Sequence, residues 1–159
     1  MLPKSTRLRL ETQLDVVPLL LREAAAEALM ARTASGEWSP HENLTHLARH
    51  HAIFLERIHR IIAEEAPKLA RYRAEDDSSW SEWSSLSTDK IITRLNTLRA
   101  EIVQFIKGLS DEESDRVGIH PLLGEMDLTH WLEFFLLHEA HHLYKVMIRL
   151  GETRRARRL

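Results

Sequence analysis

Cysteine is absent from the 159-residue sequence, which excludes disulfides, thiolate metal sites, iron–sulfur clusters and a cysteine nucleophile at once. Any metal must therefore be held by histidines and carboxylates. Glycine and proline are scarce, at five each, while Leu, Ala, Glu and Arg abound, so the composition favours helices over a β-sandwich or barrel. No charge of one sign dominates: 22 Lys plus Arg against 24 Asp plus Glu give a formal charge of -2. The overall cationic field that drives nucleic-acid binding is missing, and a nucleic-acid partner is unsupported. Long apolar runs are missing too. Lys4, Arg7, Arg9 and Glu11 interrupt the first residues, unlike the apolar core of a signal peptide. No stretch approaches the roughly 18 uncharged apolar residues of a membrane span. A cytoplasmic protein is expected, and 159 residues suffice for one domain.

What the sequence has in excess is histidine, ten in all. His41, His46, His50, His51 and His59 lie in one segment, and His130, His138, His141 and His142 in another some ninety residues later.

Apolar periodicity predicts four helical segments. Leu8 to Ala28 recur at three-to-four spacing, so residues 6–32 read as the first, with Pro18 expected to kink or split it. Ser39-Pro40-His41-Glu42 combines an N-cap serine, a proline at the first helical position and a glutamate completing a capping box. The second helix should run from there to about Glu65, with Leu44, Leu47, His51, Phe54, Ile58 and Ile61 along one stripe. Residues 67–85 carry Trp80 and Trp83 with no helical stripe and read as a long polar connection. Ser87 or Thr88 caps a third helix, with Ile91, Leu95, Leu98, Ile102, Phe105 and Ile106 as its stripe, ending near Gly108. Residues 111–124 are again connection. The last helix is expected over residues 127–150, stopped by Gly151 before the basic tail 152–159. Four helices of about twenty residues, two of the three links long, describe an all-α four-helix bundle.

At 100° per residue, Trp131, Phe134, Phe135, His138, His142 and Val146 share one stripe of the last helix, with His138 and His142 at i and i+4. A buried imidazole loses hydration worth on the order of 1–3 kcal/mol unless something replaces it. A divalent metal is the economical common partner, although two separately hydrogen-bonded core histidines would fit the same spacing. In the second helix the pattern is ambiguous: His51 lies on the apolar stripe, His50 at its margin and His46 further round. His41 and His59 read as surface residues, and His141, at a stripe's edge, as a surface group or one that supports a ligand. Trp38 and Trp131 read as core. Trp80 and Trp83 could cap the bundle over a metal or pack at a dimer interface.

The run Gly36-Glu37-Trp38-Ser39-Pro40-His41-Glu42-Asn43-Leu44-Thr45-His46-Leu47, then His120-Pro121-Leu122-Leu123-Gly124-Glu125-Met126, then Phe134-Phe135-Leu136-Leu137-His138-Glu139-Ala140-His141-His142-Leu143 resembles the DinB-like (YfiT-like) superfamily over nearly the whole chain. The resemblance implies a four-helix bundle of up-down-down-up order holding one divalent metal on three histidines. Residue by residue, these are His46, His138 and His142. It supplies no fourth ligand. Three neutral imidazoles leave open positions at an ion, which suits catalysis, and zinc, nickel, manganese or iron would all fit. Glu42, one turn before His46, and Glu139, beside a ligand, are the candidate bases. The implied chemistry is metal-dependent hydrolysis of a small molecule, or transfer of a low-molecular-weight thiol to an electrophile. A metal-binding stress-response protein without turnover is the alternative. A pocket beside the metal lined by Trp38, Trp80 or Trp83 would favour an enzyme, and an ion sealed by side chains a structural role. Because family members often pair through helices, a homodimer is expected.

Overall fold

The computed structural model describes residues 2–156, so Arg157 and Arg158 of the basic tail lie outside the described residues. The first segment is not one helix. It is divided into α1 (Lys4–Thr12), a 3-10 turn at Gln13–Asp15, α2 (Val16–Leu21) and α3 (Ala26–Met30). Pro18 sits in the first turn of α2, where its missing N–H breaks no helical bond. The other interruption falls at Ala25, whose backbone is extended.

Helix α4 (Pro40–Ala63) starts where the capping signals place it. The Ser39 hydroxyl accepts from the Glu42 amide at 3.1 Å, and the Glu42 carboxylate accepts from the Ser39 amide at 2.9 Å. Residues 67–85 contain more structure than expected, a 3-10 turn at Ala74–Asp76 and the short helix α5 (Trp80–Ser84). Helix α6 (Thr88–Lys107) is capped by Ser87. The segment read as a plain connection after it holds α7 (Asp111–Ser114) and an antiparallel hairpin, β1 (Val117–His120) with β2 (Gly124–Asp127), His120 pairing with Gly124. Helix α8 (Leu128–Ala156) runs through Gly151 instead of stopping there. A glycine stops a helix when it adopts the left-handed conformation, and Gly151 is not among the glycines with positive φ.

Packing fixes the order of the four segments. Leu44 and Leu47 early in α4 share one apolar cluster with Ile91 and Leu95 early in α6, and with Leu143 and Val146 late in α8. Phe54 and Ile58 later in α4 share the other with Ile102 and Ile106 of α6 and with Trp131 and Phe135 early in α8. Helices α4 and α6 therefore run parallel, and α8 opposes both. Leu10 lies in the second cluster and Leu14 and Val17 in the first, so the N-terminal segment also opposes α4. The result is a four-helix bundle of up-down-down-up order. The parallel middle pair needs a crossover the length of the bundle, which is why residues 64–87 are long. Trp131, expected in the core, is fully buried there.

The hairpin closes one end of the bundle. Ile119 of β1 exchanges backbone bonds with the crossover, the Leu69 amide donating to Ile119 O at 3.0 Å and the Ile119 amide to Pro67 O at 2.9 Å. Trp131 Nε1 donates to Gly118 O at 3.2 Å. A Cβ at Gly118 would stand 2.8 Å from Ile61 Cγ1 and 3.2 Å from Leu69 Cδ1, so only glycine lets the strand approach α4 this closely. Gly118→Ala is expected to cost about 1–3 kcal/mol by overpacking, read as a lowered urea midpoint, whereas Gly151→Ala, with open space around its Cβ, should leave the midpoint unchanged or raise it.

Candidate metal centre

Three of the ten histidines converge. His46 from α4 and His138 and His142 from α8 each place a ring nitrogen so that the three atoms lie within 4.8 Å of one another. His46 Nε2 and His138 Nε2 are 3.1 Å apart, the separation of two nitrogens about 2.0–2.1 Å from one ion when they subtend roughly a right angle. Among the described residues no Asp or Glu joins this group.

The proton inventory points the same way. His142 Nδ1 lies 2.9 Å from Asn43 Oδ1. The Asn43 amide nitrogen donates to Ser39 O at 2.9 Å and Trp38 O at 3.3 Å, which turns the amide oxygen toward the ring. Asn43 is thus an acceptor, His142 Nδ1 carries the hydrogen, and His142 Nε2 keeps its lone pair. His46 Nδ1 and His138 Nδ1 are buried without a hydrogen-bond partner. Burial holds all three rings neutral: it brings His46 down to about 4 from an ordinary 6.5, His138 to about 3 with help from the neighbouring His46, and His142 to about 2 with help from His46 and His138. Neutral imidazoles converging on one point, one of them with its lone pair fixed by Asn43, are what a divalent ion requires.

The crossover walls this centre. The Trp38 ring lies 5.0 Å from that of His46 and 6.1 Å from that of His142, and Trp80 stacks on Trp38 at 5.4 Å. Trp38, expected in the core, is instead half-buried against the histidines. Tyr72 stacks on His46 at 5.3 Å and is held by Asp77, which accepts from Tyr72 Oη at 3.2 Å and from Arg49 Nε at 2.6 Å. Trp83 stands further off, beneath Arg94 at 4.7 Å. The pocket beside the centre is not lined by these tryptophans. It is a cavity of about 260 Å³ bounded by His138, His50, Tyr72, Arg57 and His120.

The remaining singled-out residues fall elsewhere. His50 Nδ1 is buried and unpartnered, its ring 4.1 Å from that of His138, but His50 is outside the converging trio. His51 turns away, its Nδ1–H donating to Leu47 O at 2.8 Å and its Nε2 accepting from Arg99 Nη2 at 3.0 Å. Glu139 shares that buried network. Arg99 also pairs with its Oε2, Gln13 Nε2 donates to its Oε1 at 2.8 Å, and burial, which would raise its pKa, is outweighed by His51 and Arg99. The Glu42 carboxylate is taken up by the Ser39 amide and Arg32. His41, expected at the surface, is 1% exposed. The close start of α6 encloses it, with Nδ1 3.0 Å from Thr88 Oγ1 and Nε2 3.1 Å from Ser84 O. His59 and His141 are exposed as read.

The sequence profile of the DinB superfamily matches residues 9–145. The chain belongs to the DinB superfamily. YuaE of Bacillus subtilis is 24% identical over 135 residues, covering 77% of this chain and 83% of YuaE. A protein of Oceanobacillus iheyensis named "Putative metal-dependent hydrolase OB0413" is 23% identical over 129 residues, covering 80% of this chain and 73% of the relative. The fold matches the solved structure of YfiT from Bacillus subtilis with a TM-score of 0.80 at 18% identity, over 96% of this chain and 90% of that one. That structure is described as a "probable metal-dependent hydrolase with an unusual four-helix bundle topology". Among the described residues no helix is long and apolar enough to cross a membrane.

His46, His50, His51, His120, His138 and His142 are all held below the ordinary value, chiefly by burial. In the unfolded chain they take protons near pH 6.5. The stability their neutral forms contribute is therefore complete above about pH 6.5 and is lost as pH falls from there through the depressed folded values. The urea midpoint of metal-free protein is expected to be level from pH 8 to 7 and to fall steadily toward pH 4. A midpoint level from pH 8 to 5 would contradict this.

Proposed function

We propose that the protein is a metal-dependent enzyme acting on a small molecule, with His46, His138 and His142 as the ligands of one divalent ion and hydrolysis as the reaction. The observation that carries the reading is that the trio is not sealed: His138 belongs both to it and to the wall of the 260 Å³ cavity. An ion held by three imidazoles supplies Lewis acidity and favours loss of a proton from water or from a thiol beside it. Imidazole nitrogen does not choose among zinc, nickel, manganese and iron.

Asn43 orients the His142 ring, while Trp38, Trp80 and Tyr72 keep bulk water off the outer face of the trio. To Glu42 and Glu139 we give positioning roles, since both carboxylates are engaged with arginines, Glu42 at the start of α4 and Glu139 in the bundle interior. One observation favours thiol transfer as the second reading: among the described residues no Asp or Glu lines the cavity to take a proton from water, and a thiol, with an ordinary pKa of about 8.5, needs less help to ionise.

Cobalt-substituted protein should change its visible spectrum on addition of azide or a small thiol. His46→Ala or His142→Ala should weaken metal binding roughly hundredfold or more and abolish that response, and His59→Ala should behave as wild type. A spectrum indifferent to every small ligand, in a domain that unfolds when the metal is removed, would mark the non-catalytic metal-binding protein instead.

We further propose a homodimer formed through the outer face of α8, where Leu137, Tyr144 and Met147 stay 64%, 58% and 47% exposed at helical spacing. Light scattering should give twice the 18.5 kDa chain mass, and Leu137→Glu should return it to the single-chain value.

A further inference from the structure

The cavity beside His138 is chemically one-sided. Two guanidinium groups, Arg57 and Arg71, line it together with His50, Tyr72 and His120, and no carboxylate does. Arg57 is 6% exposed. One of its five N–H donors is used, on Ala70 O at 2.6 Å, and its guanidinium carbon lies 5.8 Å from the centre of the Trp131 ring. It takes part in none of the ion pairs among the described residues. Arg99, equally buried, is paired with Glu139. The exposed carboxylate of the adjacent Glu56 acts on it through charge, without a hydrogen bond or close ion pair. A buried cation without a close partner costs several kcal/mol, and a buried arginine left with open donors beside a cavity is in the state that a ligand would complete.

His120 adds a donor of fixed sense. Its Nδ1 accepts from the amides of Leu122 and Leu123 at 3.2 and 3.1 Å. In the neutral ring the hydrogen is then on Nε2, for which no partner exists among the described side chains. Leu122 and Phe134 supply an apolar wall.

We propose that this cavity recognises the carboxylate of a small organic acid, with Arg57 as its main partner, Arg71 at the rim, His120 as an additional donor and the aliphatic part against Leu122 and Phe134. The planar guanidinium fork matches the two oxygens of a carboxylate, and the volume admits a chain of a few carbons. Because His138 belongs to the same wall, the remainder of a bound molecule would extend toward the histidine trio. As the substrate subsite of that centre, the assignment rests on the function proposed above. As an anion site it is tested separately.

The experiment is calorimetric titration of butyrate, inorganic phosphate and butylamine into zinc-loaded and EDTA-treated protein, for the wild type, Arg57→Met, Arg57→Lys and, as a distant control, Arg94→Met. Circular dichroism confirms folding, which Arg57→Met should keep because it replaces an unpaired buried cation by an apolar chain. Arg57→Lys retains the charge and loses the fork, so it decides the matter should the methionine variant unfold. The expected result is butyrate binding with and without zinc, weakened about tenfold or more by Arg57→Met and severalfold by Arg57→Lys, unchanged by Arg94→Met, with no response to butylamine. Arg57 variants that bind butyrate within twofold of wild type, or phosphate bound more tightly than butyrate, overturn the proposal. Butyrate binding that needs zinc and ignores Arg57 also overturns it, and leaves the metal reading intact. Arg57-dependent binding by a protein that takes up none of zinc, nickel, manganese and iron supports the anion site and sinks the metal reading.

Discussion

The buried ion pair between Arg99 and Glu139 divides the interior of the bundle into two apolar clusters and sets how its helices face one another. Gln13 falls between Leu10 and Leu14, His51 between Leu47 and Phe54, Arg99 between Leu95 and Ile102, and Glu139 between Leu136 and Leu143, so each of the four segments contributes one member to a single polar layer. Arg99 Nη1 also donates to Leu10 O at 2.8 Å. Such a layer contributes little net stability compared with an apolar replacement, but loss of one member strands the rest and costs about 3–5 kcal/mol. That asymmetry makes it a rotational lock. Turning α8 by one residue would carry Glu139 off Arg99 and turn His138 and His142 off His46.

The same layer separates the charges. Interior carboxylates are neutralised on one side of the helix pair: Glu139 belongs to Arg99 and Gln13, and Glu42 to Arg32 at the bundle's rim. On the other side the neighbours of His138 are neutral imidazoles, a phenol and the unpaired Arg57. Adjacent residues thus face opposite environments, His50 beside His51 and His138 beside Glu139. His51 has both ring nitrogens engaged, whereas His46 and His138 each retain an unpartnered Nδ1. Hydrogen-bond satisfaction thus separates His51 from His46 and His138 where burial does not, whereas His50, whose Nδ1 is also buried and unpartnered, is separated from the trio only by position.

Legibility in the sequence follows from how local each signal is. The start of α4 was readable because its three cues lie within four residues, and α8 because its stripe is long. The facing of His138 and His142 followed from their i, i+4 spacing. His46 could not be separated from His50 and His51 by periodicity, since the choice depends on a layer contributed by residues 13, 99 and 139. It took the resemblance to select it. Periodicity puts His41 at the surface because its cover, Ser84 and Thr88, comes from a segment more than forty residues away. The hairpin was missed because four-residue strands carry too little alternation, although Val117 and Ile119 ahead of a Pro121–Gly124 turn were a usable cue. Arg57 lies beside Ile58 on the apolar stripe of α4, with Glu56, His59 and Arg60 close by in the sequence. Its meaning comes from its setting, beside a cavity that no carboxylate lines among the described residues and outside their ion pairs, and no sequence pattern displays that.

The up-down-down-up order ties these parts together. Parallel neighbours α4 and α6 cannot be joined by a tight turn, so the chain must return along the bundle. That return is the segment that brings Trp80 and Tyr72 to the histidine trio and Arg71 to the cavity rim. It is anchored at one end by Leu69 on the hairpin and in the middle by Arg49 on Asp77. The helices thereby carry the trio on the rigid polar layer, while the crossover and the hairpin, through Tyr72, Arg71 and His120, carry much of the cavity's polar lining. Substitutions in residues 67–85 or 117–127 can therefore alter what the cavity admits without moving His46, His138 or His142. In this topology the helices hold the histidine trio while the crossover and the hairpin supply much of the cavity wall, because the connection that the helix order demands must pass over the site.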